Sequence, residues 1–245
     1  MIKIFQKQWF DIPFKELGSL SPHVLADGKF YSLFYSAFYT KYTGYDALPA
    51  HYVTSKRHTA KHLTDFIIRK NAQTILSIGC GNGIIEKEIG HALPNITIDA
   101  YESNAANSRW LRHLANIALY SGDFPACLPP KKYDLVYLSC VEYALTDTEY
   151  STLLAQLRNV TDAPVILTSL ISPYPTYLAF IKYWIKFTIY KMKLYDPGQL
   201  WGYLRHHHQH CAIINQAGYR VINNGTLTNG QTWIEISPKQ NEPNL

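Results

Sequence analysis

The sequence predicts an α/β protein built on a doubly wound, mostly parallel sheet, and three observations support that class. Short apolar runs typical of buried strands alternate with helical patterns through the middle of the 245-residue chain. One such run, 74–78, leads directly into glycines at alternate positions and then into a helical pattern. The apolar fraction of 47% is enough to form a full core.

The segment before the core is predicted to form a helical cap. Residues 1–27 are interrupted by proline and glycine, so we expect them to be irregular. Helices are predicted at 28–40 and 53–69, with Thr54 or Ser55 as the N-cap of the second.

The core elements follow in an order that suits a parallel sheet, because strands and helices alternate. Strands are predicted at 74–78, 96–101, 117–121, 133–138, 163–169, 219–223 and 231–236. Helices are predicted at 84–91, 104–114, 147–158 and 206–217.

Three glycines, Gly79, Gly81 and Gly83, occupy the turn between the first core strand and its helix. Without Cβ atoms they can adopt positive φ and let a ligand lie against the backbone. A doubly wound fold binds its cofactor at such a turn. A dinucleotide fingerprint would need glycine where this chain has Ile84, so the spacing disfavours a nicotinamide oxidoreductase.

An acid, Glu102, stands at the end of the second core strand, about 20 residues past the glycines, as expected of a group that binds ribose hydroxyls. Together with Ser121-Gly-Asp-Phe124 and the strand beginning Tyr133-Asp134, these features resemble the class I S-adenosylmethionine (SAM)-dependent methyltransferases. The resemblance is good over 71–170 and looser over 210–237.

The resemblance implies a seven-stranded Rossmann-like sheet ending in an antiparallel hairpin, with SAM as cofactor. It divides the chain into a cap, 1–70, and a core, 71–245, with 172–205 as an insertion on the substrate side. The residues that it assigns to the cofactor are Ser77, Gly79, Cys80, Gly81, Asn82, Gly83, Glu102, Ser103, Asp123, Phe124 and Ser139.

Two positions depart from the family pattern. Ser77 stands where the family usually has an acid that binds the cofactor's amino group, directly or through water. The segment after the fourth strand resembles Val-Leu-Glu-His-Leu-x-Asp of ubiquinone-biosynthesis-type methyltransferases, but Glu142 is followed by Tyr143 instead of histidine. Glu142 and Tyr143 are the candidate catalytic residues here; alternatively, Glu142 caps the loop or pairs with a lysine.

A second candidate group surrounds the run Arg205-His-His-His-Gln-His210. His206 is a further candidate base, because histidine titrates near neutral pH. Tyr203 and Arg205 are candidate substrate-binding residues that could hold a phosphate or sugar, although Arg205 could instead pair near the following helix. The histidines supply too few ligands for a metal site, so none is predicted. In the family that the chain resembles, a basic or tyrosine side chain from the cap binds the cofactor carboxylate, so Lys56 and Arg57 are candidates for that role, with a solvated charge pair as the alternative.

The segment 173–197 departs most from a minimal core, and an aromatic helix is predicted at 177–193. Recurring lysines argue against a membrane span. A lid that packs on the core is favoured. A dimer contact and a helix lying on a membrane surface remain the alternatives.

Composition narrows the function classes. The net charge of +5 suits an anionic substrate, and no dedicated nucleic-acid module is visible. The four cysteines are scattered, which predicts a reduced, cytoplasmic protein, with a peripheral membrane position as the alternative. The resemblance implies an enzyme that moves a methyl group from SAM to a small-molecule or sugar-bearing acceptor. An RNA or protein methyltransferase and a SAM-binding interaction protein without turnover remain alternatives, and the oligomeric state stays open.

Overall fold

The main sheet has the predicted doubly wound class. The computed structural model describes residues 2–169 and 196–239, together with residues 181, 184, 185, 188, 189 and 192. The strands of the main sheet are Thr74–Ile78 (β4), Thr97–Tyr101 (β5), Ile117–Tyr120 (β6), Leu135–Ser139 (β7), Val165–Ser169 (β8), Tyr219–Thr226 (β10) and Thr232–Pro238 (β11). Their order is β10-β11-β8-β7-β4-β5-β6. The first five in sequence are parallel, and β11 runs antiparallel to both β8 and β10, which confirms the predicted edge hairpin.

Helices cover both faces of this sheet. The α-helices of the described residues are Gly28–Lys41 (α1), Ala50–Lys70 (α2), Ile84–Ala92 (α3), Asp147–Leu157 (α4) and His207–Gln216 (α5). Successive strand residues point to opposite faces, so Ile75 joins the core under α1, α2 and α3, while Leu76 joins the core under α4 and α5. Burial on both faces explains why the strands read as continuous apolar runs.

The strand order reverses at β4, whose neighbours are β5 on one side and β7 on the other. The helix after β4, α3, and the helix after β7, α4, pack on opposite faces of the sheet, which opens a crevice at the carboxyl ends of these strands. This crevice holds the candidate site.

The prediction of an irregular N-terminus was wrong. Residues Ile2–Gln6 (β1) pair antiparallel with Gln199–Leu204 (β9), a strand that was not predicted either. Two short strands, Gln8–Trp9 (β2) and Ile12–Pro13 (β3), follow β1. The partners of the β1–β9 ladder lie far apart in the sequence, so no local pattern predicts the pairing.

Two helix predictions also need correction. α2 begins at Ala50 with Pro49 as its N-cap, not after Thr54 or Ser55; proline has no N–H and cannot stand inside a helix, so the helix begins directly after it. The predicted helix at 104–114 is instead a 3₁₀ helix, Ala105–His113, interrupted at Ser108. The hydroxyl of Ser108 donates to the carbonyl of Gly81, which draws this turn toward the glycine loop.

Most of the predicted aromatic helix, 177–193, lies outside the described residues. Its described positions 181, 184, 185, 188 and 189 are helical. None of the described helices is both long and apolar enough to cross a membrane.

Candidate active site

A cavity of about 1000 Å³ opens at the carboxyl ends of β4, β5 and β7. This volume lies at the upper end of the ~300–1000 Å³ range of ligand pockets, so it can hold a cofactor together with an acceptor. Residues of α1, α2 and the N-terminal strands form the wall opposite the sheet.

The glycine loop forms the floor of the cavity. Gly79, Gly81 and Gly83 all have positive φ, at +69°, +56° and +79°. A Cβ on Gly81 would stand 2.9 Å from the hydroxyl of Tyr35, and a Cβ on Gly79 would meet the side chain of Val141 at 2.5 Å. The loop therefore needs glycine for its conformation and for the space above it.

The cap holds this loop from above through the main chain and side chain of Asn82. The hydroxyl of Tyr45 donates to the Asn82 carbonyl at 3.0 Å, and Asn82 Nδ2 donates to the hydroxyl of Tyr52 at 3.2 Å. Tyr45 lies in the connection between the two cap helices, and Tyr52 lies in the first turn of α2.

Glu102 lies beside the loop with its carboxylate buried and hydrogen-bonded. Gly81 N donates to Glu102 Oε2 at 3.1 Å, and Asn107 Nδ2 donates to Oε1 at 3.2 Å. Oε2 retains acceptor capacity beyond the bond from Gly81 N, as a ribose hydroxyl requires. Ser103, which also lines the cavity, donates to Oε1 at 3.1 Å.

A buried acid, Glu86, occupies the other side of the loop, and sequence reasoning missed it. Ser77 Oγ donates to Glu86 Oε1 at 2.5 Å, and the hydroxyl of Tyr137 donates to the same oxygen at 2.8 Å. Glu86 Oε2 is buried without a hydrogen-bond partner. Burial raises the pKa of Glu86, because desolvation disfavours the charged form. Lys56 also lines the cavity, whereas its neighbour Arg57 pairs with Glu88 on the surface.

An aromatic pair also contributes to the lining of the cavity. The rings of Tyr101 and Phe124 lie 5.1 Å apart, and both residues line the cavity. Asp123, which was predicted to bind the cofactor, is exposed and is not among the lining residues of the described chain.

The remaining wall is largely aromatic. Trp9 and Trp201 contact each other with ring centroids 5.3 Å apart, and Tyr31 packs on Trp201 at 5.0 Å. Burial raises the pKa of Tyr31 to about 12 and that of Tyr143 well above its usual value, so both are neutral phenols at physiological pH. Sequence reasoning identified only Tyr143 of this group, because the others come from segments that meet through the β1–β9 ladder and α1.

The structure gathers most of the predicted cofactor residues around this cavity. Those that line it are Ser77, Gly79, Cys80, Gly81, Asn82, Glu102, Ser103, Phe124 and Ser139. Gly83 stands behind them as the N-cap of α3.

Four other predicted residues lie outside the described lining: Glu142, Tyr203, Arg205 and His206. His206 is the N-cap of α5 and shares a capping box with Gln209. Glu142 is buried, and its carbonyl accepts from Arg205 Nη1 at 2.6 Å.

Arg205 is committed to contacts within the fold. Its Nη2 donates to the carbonyl of Leu145 at 2.6 Å, and its Nε donates to Asp147 Oδ1 at 2.8 Å. With the bond to the Glu142 carbonyl, these contacts use donors on all three guanidinium nitrogens. The guanidinium is 1% exposed, so it braces the loop that follows β7.

The histidine run does not assemble a metal site. No group of three or more metal-ligating side chains is found in the part of the chain that the structure describes. His210 is buried, and desolvation lowers its pKa to about 4, so it is a neutral core residue.

Comparison with known proteins establishes the fold. The sequence matches no family model and no curated protein. Among solved structures, it resembles the mitomycin 7-O-methyltransferase MmcR with a TM-score of 0.60 and 19% identity, covering 86% of this chain and 58% of that one. Magnesium protoporphyrin IX methyltransferase from Synechocystis PCC 6803, determined with bound S-adenosylhomocysteine, has a TM-score of 0.55 and 16% identity, with 76% and 84% covered. The 8-amino-8-demethyl-riboflavin dimethyltransferase RosA from Streptomyces davawensis has a TM-score of 0.54 and 17% identity, with 74% and 55% covered. The chain thus has the Rossmann-like methyltransferase fold and spans little more than half the length of two of these proteins.

Proposed function

We propose that the chain transfers a methyl group from SAM to a small-molecule acceptor. The observation that carries this proposal is the glycine loop that opens on the cavity with the Glu102 carboxylate 3.1 Å from Gly81 N. The same fold carries S-adenosylhomocysteine in one of the similar structures.

The residues present fit this cofactor along its length. Glu102 offers acceptors for the ribose, and the Tyr101–Phe124 pair offers an aromatic surface for the adenine. Lys56 offers a cation for the carboxylate at the amino-acid end. When bound, SAM supplies an electrophilic methyl group and a thioether leaving group.

The chain's own contribution to the reaction is mainly positioning. An in-line displacement is accelerated when the acceptor is held close to the methyl group in the correct orientation. Tyr31, Tyr143 and Trp201 can hold a flat acceptor by stacking and exclude water from it, while the neutral phenols can hydrogen-bond its polar atoms. We assign the orienting role to Tyr143 and give none to His206, which caps α5.

The acceptor class follows from the same wall. Aromatic side chains bind the faces of planar rings and the apolar faces of sugars, so we propose a ring-containing acceptor, sugar-bearing or not. The names of the similar structures given above describe enzymes that act on ring compounds, which supports this choice.

Cofactor binding tests the proposal directly. We expect the purified chain to bind S-adenosylhomocysteine and not NAD in calorimetry. Glu102→Ala should weaken binding by about 1–3 kcal/mol, the range for a lost charged hydrogen bond.

Asp123→Ala is the matched control, because this acid was also predicted to bind the cofactor but is exposed outside the lining. Its affinity should equal that of the wild type. Undiminished binding by a folded Glu102→Ala variant would remove Glu102 from the site. Bound cofactor with no methylated product from any ring compound tested would favour a binding protein without turnover.

A further inference from the structure

We propose that Glu86 binds the amino group of the cofactor's methionine portion, a role that the family usually gives to an acid at the position of Ser77. This inference rests on the proposed function and specifies how this chain meets its cofactor.

The hydrogen bonds around Glu86 leave one oxygen free for such a ligand. Ser77 and Tyr137 both donate to Oε1, at 2.5 and 2.8 Å. Oε2 has no partner although it is buried. An unsatisfied buried acceptor is costly, so such an atom in a ligand cavity indicates a donor that arrives with the ligand.

The position of Glu86 agrees with this role. It lies in the first turn of α3, directly after the glycine loop, and lines the same cavity. The bond from Ser77 holds the Glu86 carboxylate near the end of β4, which is the strand position that carries the acid in the family. Serine is shorter than an acid and uncharged, so Ser77 orients Glu86 and Glu86 supplies the charge.

The charges in the cavity also suit a zwitterionic ligand. Lys56 lines the same cavity, where its ammonium lies over the Tyr52 ring at 5.7 Å and its positive charge favours the ionised form of Glu86. Glu86 and Lys56 together match the two ends of an amino acid zwitterion. The ammonium group would satisfy Glu86, and the carboxylate would satisfy Lys56.

Two ligands separate this role from a structural one. S-adenosylhomocysteine carries the amino acid group, and 5′-methylthioadenosine lacks it. Glu86→Gln keeps the size of the side chain and an oxygen that can accept from Ser77 and Tyr137. It places an amide, which can donate but not accept, where the ammonium would bind. We expect the affinity for S-adenosylhomocysteine to fall about 10- to 100-fold, while the affinity for 5′-methylthioadenosine stays unchanged.

Glu88→Gln is the control, because Glu88 lies on the same helix and pairs with Arg57 at the surface. Its affinities for both ligands should match the wild type. An equal loss for both ligands in Glu86→Gln, or no loss for either, would overturn the assignment. Failure of the wild type to bind either ligand would instead refute the proposed function.

A second, independent observation concerns an exposed apolar helix face. The described positions 181, 184, 185, 188, 189 and 192 follow the i, i+3, i+4 spacing of a single face. Five of them carry apolar side chains that are between 38% and 61% exposed: Ile181, Trp184, Ile185, Ile189 and Met192. A lid packed on the core through this face would have buried these side chains.

We infer that this face docks on an anionic phospholipid surface. The sequence between residues 163 and 195 contains four lysines and no acid, and the lysines stand at 182, 186, 191 and 193. An apolar face accompanied by lysines suits the boundary between acyl chains and anionic headgroups. A protein partner that covered the same face would have to neutralise these charges.

Co-sedimentation with vesicles tests this inference. The wild type should pellet with phosphatidylserine-containing vesicles, release with salt, and stay soluble with pure phosphatidylcholine. The double change Trp184→Ser and Ile185→Ser should reduce pelleting at least about fivefold, since each large apolar side chain favours binding in proportion to the apolar area that it buries.

Ile222→Ser is the matched control, because Ile222 is comparably exposed on β10. It should pellet like the wild type. Equal pelleting by the double variant, or no pelleting of the wild type, would overturn the inference. A concentration-dependent dimer in sedimentation velocity that the double variant loses would assign the face to a second copy of the chain.

Discussion

Gly81→Ala is expected to abolish measurable binding of S-adenosylhomocysteine while the protein stays folded. The residue has φ of +56°, which costs an L-amino acid about 1–2 kcal/mol. Its new Cβ would stand 2.9 Å from the hydroxyl of Tyr35, above the floor of the cavity. Either the methyl group or a displaced Tyr35 would then fill the space in which a cofactor approaches the backbone. We expect a loss of affinity of more than 100-fold in calorimetry, because a methyl group cannot be accommodated against a rigid loop.

Gly230→Ala separates this steric effect from backbone strain. Gly230 also has positive φ, at +80°, but a Cβ there would meet nothing within 4 Å. Both variants should therefore lose a similar amount of thermal stability, and only Gly81→Ala should lose binding. A folded Gly81→Ala variant with wild-type affinity would show that the cofactor does not lie on this loop.

The sheet could be predicted from the sequence because its strands are buried on both faces. Such strands carry continuous apolar runs, and 74–78 matches β4 at both ends. The ladder between β1 and β9 could not be predicted, because neither strand contains a signal for a partner so distant in the sequence. The 3₁₀ helix at Ala105–His113 was missed for a related reason, since Ser108 bonds to the glycine loop instead of continuing the helix.

Some residues of the candidate site could likewise be predicted from the sequence, and others could not. Residues on or next to the loop could be predicted, because a short motif places them at one strand end. Glu86 stands only three residues beyond Gly83, and a search for an acid near the loop could have found it. Its role became visible only through the contacts from Ser77 and Tyr137 to a single carboxylate oxygen. Trp9 and Trp201 were not predicted to line the site, because they come together at the cavity only when β1 pairs with β9.

Arg205→Met is expected to destabilise the fold strongly, a result that would distinguish its bracing role from substrate binding. The guanidinium is 1% exposed and donates to two main-chain carbonyls, of Glu142 and Leu145, and to Asp147. Methionine fills much of the same volume but leaves both carbonyls without their donor. Breaking a buried charged network of this kind costs about 3–5 kcal/mol, and the exposed position of Asp147 favours the lower end of that range.

Loss of the Arg205 contacts would also affect the site, because Tyr143 lies in the chain between Glu142 and Leu145, whose carbonyls Arg205 binds. Gly202, on β9 and three residues before Arg205, packs so closely that a Cβ there would lie 2.5 Å from the carbonyl oxygen of Tyr143. The bracing therefore fixes the loop that carries Tyr143 into the cavity. Urea unfolding should show the loss of stability in Arg205→Met and none in Arg220→Met, an exposed arginine on β10. Cofactor affinity should be retained at temperatures where the variant is folded, since the glycine loop and Glu102 are untouched. Wild-type stability combined with a selective loss of acceptor affinity would return Arg205 to the substrate-binding role that the sequence suggested.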